Sequence, residues 1–220
     1  MKVCKLAGCG FPVSGFSGYC EPHKRRNRRH GHPEQTPVGA HELEPFRKRA
    51  RARIKKNRDN PTWNILCARW EALIEIAKAE ETRYLTGAPH NRFAAEAWFE
   101  VVKIGANSSS MEVIEVALAV YLLQVENPRR FKSDNAFGAQ LARRVRTLAP
   151  TSVGSYYDHE TRKAKSVYRD ARPKTTVILA RILQDTFGVA GLTVAHLERH
   201  EMNKLRNEKQ TLHDALGELV

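Results

Sequence analysis

Residues 4–23 read CKLAGCGFPVSGFSGYCEPH, and the three cysteines and one histidine in this stretch decide how the start of the chain folds. Their spacing is Cys4-x4-Cys9-x10-Cys20-x2-His23, two close pairs separated by a longer loop. Zinc takes four sulfur or nitrogen ligands in a tetrahedron, often from two such pairs. Because so short a segment buries little apolar surface, bound metal would supply its folding energy. The spacing therefore predicts Zn²⁺ as the cofactor, with these four residues as its ligands.

Alternatives to this ligand set stay open. His30 or His32 can replace His23 as the fourth ligand, since Gly31 leaves that region adaptable, or the four residues bind metal only incidentally. Disulfides explain the cysteines less well, because Met1-Lys2-Val3 begins no apolar secretory segment and structural disulfides belong to exported proteins. Cys67 stands apart in a helical pattern and is expected to be a small buried apolar residue.

Positive charge is concentrated in two blocks of the 220-residue chain, whose formal net charge is +13. Residues 1–60 carry +10 and residues 129–174 carry +8, whereas residues 61–128 carry −4 and residues 175–220 carry −1. Such clustering favours a polyanionic partner. Nucleic acid is the expected polyanion, and DNA its favoured class. We expect no membrane contact, because no apolar run approaches the ~18 residues of a membrane span. The expected location is the cytoplasm or the nucleoid.

Two predicted helices carry the basic side chains of the first block. One begins near Glu21-Pro22, runs through His30 and stops at Gly31. The other runs from Pro45 to about Asp59, and it is so uniformly basic that we expect it to order only against a partner. The residues predicted to contact nucleic acid are Lys24, Arg25, Arg26, Arg28, Arg29, Arg47, Lys48, Arg49, Arg51, Arg53, Lys55, Lys56 and Arg58.

Amphipathic helices are predicted from Thr62 onward, where apolar residues recur at positions i, i+3, i+4 and i+7. The predicted helices are 62–87, 92–104, 109–125, 133–148, 155–171, 175–187 and 193–216, the third of them with a capping box between Ser109 and Glu112. The predicted fold class is mainly α, with a small N-terminal zinc-binding module followed by an all-α domain of several helices. The predicted units are a zinc-binding module (1–33), a linker with a basic helix (34–60) and a helical domain (61–220).

A helix-turn-helix is one interpretation of residues 137–165, in the second basic block. The first helix would run from Phe137 to Val145, and the second, from Ser155 to Lys163, would contact bases and phosphates. The intervening turn is longer than the 3–4 residues usual for this motif. Two ordinary helices of a bundle are the alternative.

The first 35 residues resemble a known family of zinc fingers. Cys4-x4-Cys9, Gly18-Tyr19-Cys20-x2-His23, the following arginines and the run 29–33 are similar to the treble-clef fingers at the N-termini of phage proteins, including HNH homing-type endonucleases. The resemblance implies a helix that carries Cys20 and His23 at its start and offers its arginines to DNA.

The nuclease half of that family is not predicted. An HNH site needs paired histidines on strands, followed by further His and Asn residues that hold a divalent cation. The remaining candidates, His90, His159, His196 and His200, do not have this arrangement. We therefore predict no enzyme activity but a nucleic-acid-binding zinc protein of phage or bacterial origin. The alternatives are a factor that binds a host or phage protein through its helical domain, and a nuclease whose active site is not recognisable.

Overall fold

The computed structural model describes residues 2–150, 152–168 and 170–217. Met1, Thr151, Arg169 and residues 218–220, which fall within the predicted units, lie outside that description. The described residues form helices α1 (Glu21–His30), α2 (Ala40–Lys56), α3 (Pro61–Leu85), α4 (Arg92–Asn107), α5 (Ser110–Glu126), α6 (Asp134–Arg146) and α7 (Pro173–Gly217), a 3₁₀ turn (Pro128–Arg130), and strands β1 (Ser152–Asp158) and β2 (Lys163–Tyr168). The predicted class, mainly α with a small N-terminal Cys/His module, is confirmed.

Helix α5 is the centre of the core. Every residue from Val113 to Leu123 is buried, because α2, α3, α6 and α7 pack around this helix. A helix that is apolar on all sides belongs inside a bundle. Its start is the predicted capping box, in which Ser109 Oγ accepts from the backbone N–H of Glu112 and the Glu112 carboxylate accepts from that of Ser109. The other helices are arranged around this buried rod.

Helix α2 differs from its prediction in its start and in its polarity. It begins at Ala40 rather than Pro45, and the Glu42 carboxylate accepts from the backbone N–H of Gly39 at the helix start. Leu43 and Ala50 are buried in the core, with Phe46 and Ile54 packed beside them. The prediction that basic residues cover every face of this helix was wrong, because these four apolar residues recur at helical spacing and form one face that packs on the body.

Helices α3 and α7 also correct the predicted boundaries. Asn60, not Thr62, caps α3, since its side chain accepts from the backbone N–H of Thr62 at 2.9 Å. The two predicted helices 175–187 and 193–216 are one continuous helix, α7. Gly191 lies within it directly against the ring of Tyr121, so this glycine serves close packing rather than a break.

Residues 152–168 form an antiparallel hairpin where a helix was predicted. Strand β1 pairs with β2 in a register that places Tyr156 opposite Lys165 and Asp158 opposite Lys163. The Asp158 side chain accepts from the backbone N–H groups of Glu160 and Thr161 and so closes the turn. The helix-turn-helix within 137–165 is therefore wrong in its second helix. The β-branched and aromatic residues of this stretch favour a strand over a helix.

The N-terminal module is docked on the helical body through α1 and α6. Gln140 is fully buried, and its side-chain oxygen accepts from the backbone N–H of Val38 at 2.9 Å. The Gln35 side chain is also fully buried and accepts from the backbone N–H of Lys132 at 3.1 Å. Gly31, with φ +79°, ends α1 directly against the backbone of α6. The stretch after α1 is thus built into the body.

Candidate metal centre and basic surfaces

The predicted metal ligands come together at the N-terminus. One ligand atom from each of Cys4, Cys9, Cys20 and His23 lies within 4.8 Å of the others. The two sulfurs of Cys9 and Cys20 are 3.8 Å apart, and His23 Nδ1 is 3.6 Å from Cys4 Sγ and 3.1 Å from Cys20 Sγ. Zinc–sulfur bonds of about 2.3 Å in a tetrahedron place two sulfurs about 3.8 Å apart. The four side chains can therefore hold one metal ion.

A tight turn presents the first pair of ligands. The Leu6 carbonyl accepts from the backbone N–H of Cys9 at 3.1 Å, and Gly8 adopts a positive φ of 76° within this turn. An isolated bridge between Val3 and Pro12 closes the hairpin around it. Such a conformation suits glycine, which has no Cβ to clash. The stretch between the two cysteines is thus a backbone loop that directs both sulfurs to one point.

The second pair lies at the start of α1. Cys20 is the N-cap residue, and the backbone carbonyl of Cys20 accepts from the N–H of Lys24 at 2.9 Å. Three residues later His23 lies on the same face of the first turn. Pro22, between them, lies in the first turn of the helix, where a backbone N–H has no partner within the helix, so its missing N–H costs nothing. The helix therefore delivers Cys20 and His23 together, as the spacing predicts.

The thiols of the cluster differ in acidity. Burial raises the pKa of Cys4, but hydrogen bonds from the Cys20 and Leu6 backbone and contact with His23 lower it to about 6. The Phe11 backbone lowers the pKa of Cys9, yet burial and the neighbouring thiols outweigh this effect and raise it. Two thiolates so close together repel each other unless a cation lies between them. Thiolates are the form that binds metal.

The alternative histidine ligands have other roles. His30 is 7% exposed and its Nδ1 contacts the Gln140 amide, while His32 Nδ1 accepts from the backbone N–H of Glu34. Cys67 lies in α3 and packs against the core, but it is only partly buried, so the expected full burial is not reached; that partial burial raises the pKa of its thiol. Among the described residues, Cys4, Cys9, Cys20 and His23 form the one group of Cys, His, Asp or Glu side chains that could hold a metal ion.

The arginines of α1 are mostly unpaired. Arg25, Arg26 and Arg28 are exposed and make no ion pair with any described residue, whereas Lys24 pairs with Glu21 at 3.4 Å. Arg29 is also exposed, and its Nε donates to Asp170 at 2.5 Å. The metal cluster at the start of α1 and the contact with α6 at its end hold these side chains on a fixed helix.

The arginines of α2 are largely neutralised by the body. Glu115 of α5 accepts from Arg47 at 3.0 Å and from Arg51 at 2.8 Å. Further along α2, Arg53 pairs with Glu198 and Glu201 of α7 at 3.2 and 2.7 Å. Arg49 pairs with Glu126 and Glu198, Lys56 with Glu201 and Arg58 with Asp59, while Lys48 and Lys55 are exposed. The acidic segments thus supply counter-charges for this helix.

The second basic block is joined to the first through one carboxylate. Asp170 bridges Arg29 of α1 and Arg143 of α6, at 2.5 and 3.1 Å. Burial lowers the pKa of Arg143, although its pairing with Asp170 opposes this shift. On the hairpin of the same block, the side chains of Tyr156 and Tyr157 are more than half exposed. The sequence alone could not pair these charges, because the partners are up to 141 residues apart.

One described helix is long and apolar enough to cross a membrane, the Pro173–Asp214 part of α7, and α4 with α5 meets the same criterion only as a pair bent by 116°. About a third of the apolar window of α7 is buried within the bundle, and α5 is the core helix. Core helices of soluble domains meet these criteria too. The predicted location and the predicted lack of membrane contact stay predictions.

Comparisons with protein-family models, with curated proteins and with solved structures find no match to this chain. The resemblance of residues 1–35 to treble-clef fingers of phage proteins stays a prediction.

Proposed function

We propose that the protein binds nucleic acid, with DNA as the favoured class, through the helix anchored by a zinc ion. The observation that carries this proposal is the contrast between the two basic helices. Arg25, Arg26 and Arg28 of α1 are exposed and have no acidic partner among the described residues, while most cations of α2 are paired with glutamates. Unpaired cations on a rigid helix attract phosphates and release counterions when they bind.

Zinc is the metal that this donor set favours. Three thiolates and an imidazole suit a tetrahedral ion of borderline softness, and four protein ligands leave no open position for a reacting water. Cys4, Cys9, Cys20 and His23 would therefore hold the ion in a structural role. Their contribution to function is to fix the direction of α1, so no chemistry is assigned to the metal.

A salt-dependent binding titration tests this proposal against duplex DNA, single-stranded DNA and RNA. We expect the affinity of the intact protein to fall steeply between about 50 and 200 mM salt. The triple variant Arg25→Ala, Arg26→Ala, Arg28→Ala should lose at least tenfold in affinity at the lower salt concentration. Affinity that does not depend on salt would overturn the proposal.

The matched control removes the same charge elsewhere. Lys204, Arg206 and Lys209 are exposed on the distal part of α7, about 45 Å or more along the helix from its start beside α1, and only Lys204 has an ion pair, with Glu208 at 3.9 Å. Their triple replacement by alanine should change affinity less than twofold. An equal loss in both triple variants would mean that net charge, rather than the surface of α1, determines binding.

A second candidate function is protein binding through the distal part of α7. From Met202 to Asp214 this helix is exposed on all sides, and Met202, Leu205 and Leu212 are each at least half exposed. Apolar side chains repeated along an uncovered helix favour a protein partner. Capture of a partner that survives nuclease treatment and is lost on Met202→Glu with Leu205→Glu would support this function.

A further inference from the structure

A cleft of about 870 Å³ opens between the end of α1 and the first turns of α4, α6 and α7. Five basic residues line it, namely Arg28, Arg29, Arg92, Lys174 and Arg181, against one acidic residue, Asp134. We name this feature the basic cleft. It shares Arg28 with the exposed surface of α1, so the two positive surfaces are continuous.

Three of the cations in the basic cleft are unpaired. Arg28, Lys174 and Arg181 are exposed and form no ion pair with any described residue. Arg29 is paired with Asp170, and Arg92 lies 3.7 Å from Glu96. Three like charges that converge on a concave surface repel one another, and an anion within the cleft relieves that repulsion. The arrangement therefore indicates a ligand with more than one negative charge.

An aromatic ring lies among these cations. The Lys174 ammonium is 5.1 Å from the centre of the half-buried Phe93 ring, and the Arg92 guanidinium is 5.6 Å from it. Side-chain amides of Asn91, Asn135 and Gln184 line the same cleft. An aromatic platform beside cations is the arrangement that binds a base by stacking and its phosphates by charge.

The walls of the basic cleft are held in place from behind. Glu96 of α4 accepts from Arg172 at 2.5 Å and from Thr175 at 2.7 Å, which fixes the start of α7 against α4. On the other side Gly31 places the end of α1 against α6. Because these helix ends are tied together, the backbone positions that carry the cations are set before any ligand binds, which lowers the entropy cost of binding.

We infer that the basic cleft binds a single-stranded segment of nucleic acid, with phosphates on Arg28, Lys174 and Arg181 and a base beside Phe93. This inference rests on the proposed function. Its volume is that of a small-molecule pocket, which admits a few flexible nucleotides but not a rigid double helix. Free mononucleotides offer the same chemistry, yet the continuity with α1 favours a strand that follows both surfaces.

The test uses two double variants. The first combines Lys174→Ala and Arg181→Ala in the basic cleft, and the control combines Lys204→Ala and Arg206→Ala on distal α7. Binding of a labelled 12-nucleotide single strand and of a blunt duplex is measured by fluorescence anisotropy at several salt concentrations. We expect the first variant to bind the single strand at least tenfold more weakly and the duplex within twofold of the unmodified protein. Its salt slope for the single strand should fall by about 1.4, since each phosphate contact on a single strand contributes about 0.7.

The outcomes separate this inference from the proposed function. If the unmodified protein binds no nucleic acid, both fail. If duplex binding depends on Arg25 and Arg26 while Lys174→Ala with Arg181→Ala leaves single-strand binding unchanged, only the basic cleft is refuted. An equal loss for single strand and duplex would make Lys174 and Arg181 part of a general basic surface and overturn the inference. Displacement of the strand by adenosine monophosphate at equal concentration would identify a nucleotide pocket instead, and also overturn it.

Discussion

The buried side chain of Gln140 joins the N-terminal module to the helical body through His30. Its oxygen accepts from the backbone N–H of Val38, so its amide nitrogen faces His30 Nδ1 at 3.3 Å and must donate to it. His30 Nδ1 can accept only when the imidazole is neutral with its proton on Nε2. One hydrogen-bond chain therefore sets both the tautomer of His30 and the contact between α1 and α6.

This contact predicts a pH dependence of stability. Burial, together with Arg143 and Arg29, lowers the pKa of His30 from 6.5 to about 4. As the pH falls below 6.5, the unfolded chain takes up a proton that the folded chain does not. The contribution of His30 to the free energy of unfolding should therefore be fully present above pH 6.5. It should decrease as the pH falls towards 4, by about 3 kcal/mol at most. Urea unfolding at several pH values measures this decline.

The variant His30→Gln separates this contribution from metal loss, which acid also causes. Its side chain keeps a neutral hydrogen-bonding group but does not titrate. We expect the free energy of unfolding of this variant to depend less on pH between 4 and 6.5 than that of the unmodified protein. Identical pH profiles would show that His30 is not the group responsible.

Metal content should depend on Cys20 but not on Cys67. We expect one zinc ion per chain in the unmodified protein, and Cys20→Ala should lose it because three ligands bind far more weakly than four. Native mass spectrometry and elemental analysis measure the ratio directly. Cys67→Ala, the matched removal of a thiol in α3, should keep the ion. Loss of metal in the Cys67 variant would contradict the ligand set.

The ion pairs of Glu115 should contribute more to stability than an exposed pair. Its side chain is 9% exposed and bridges Arg47 and Arg51, so Glu115→Ala leaves two arginines without a partner. We expect a loss of about 1–2 kcal/mol, because the hydrogen bonds of a buried carboxylate are lost while both arginines stay in contact with water. Glu75→Ala, which removes the exposed pair with Lys78, should cost about 0.5 kcal/mol or less. Urea unfolding of both variants tests the difference, and equal losses would refute it.

Gly31 and Gly87 form a matched pair for testing how α1 docks on the body. Both have a positive φ, near 80°, but a Cβ on Gly31 would lie 2.4 Å from the Asn135 carbonyl oxygen, whereas Gly87 faces open space. Gly87→Ala should cost about 1 kcal/mol, the penalty of a left-handed conformation. Gly31→Ala adds a backbone clash and should cost about 3 kcal/mol in total. Similar losses would mean that α1 shifts freely against α6.

Much of the candidate metal centre can be predicted from sequence because its ligands are close along the chain. Cys20 and His23 are one helical turn apart, and a single turn around Gly8 brings Cys4 and Cys9 together. Local geometry of this kind depends on few residues, so spacing alone reveals it. Helix α1 and the capping box of α5 were predicted for the same reason. The hairpin was missed because it has little alternation of buried and exposed residues.

Whether each basic residue forms an ion pair or stays open to a ligand depends on contacts between distant parts of the chain. The sequence determined that Arg25, Arg28 and Arg51 are cations on helices. Only the tertiary structure decided that Arg51 is paired with Glu115, 64 residues away, while Arg25 and Arg28 form no ion pair within the part of the chain that the structure describes. The basic cleft likewise exists only where four helix ends meet. Local bonding rules specify a turn or a metal ligand, but electrostatic pairing follows distance in space, which packing of the core alone determines.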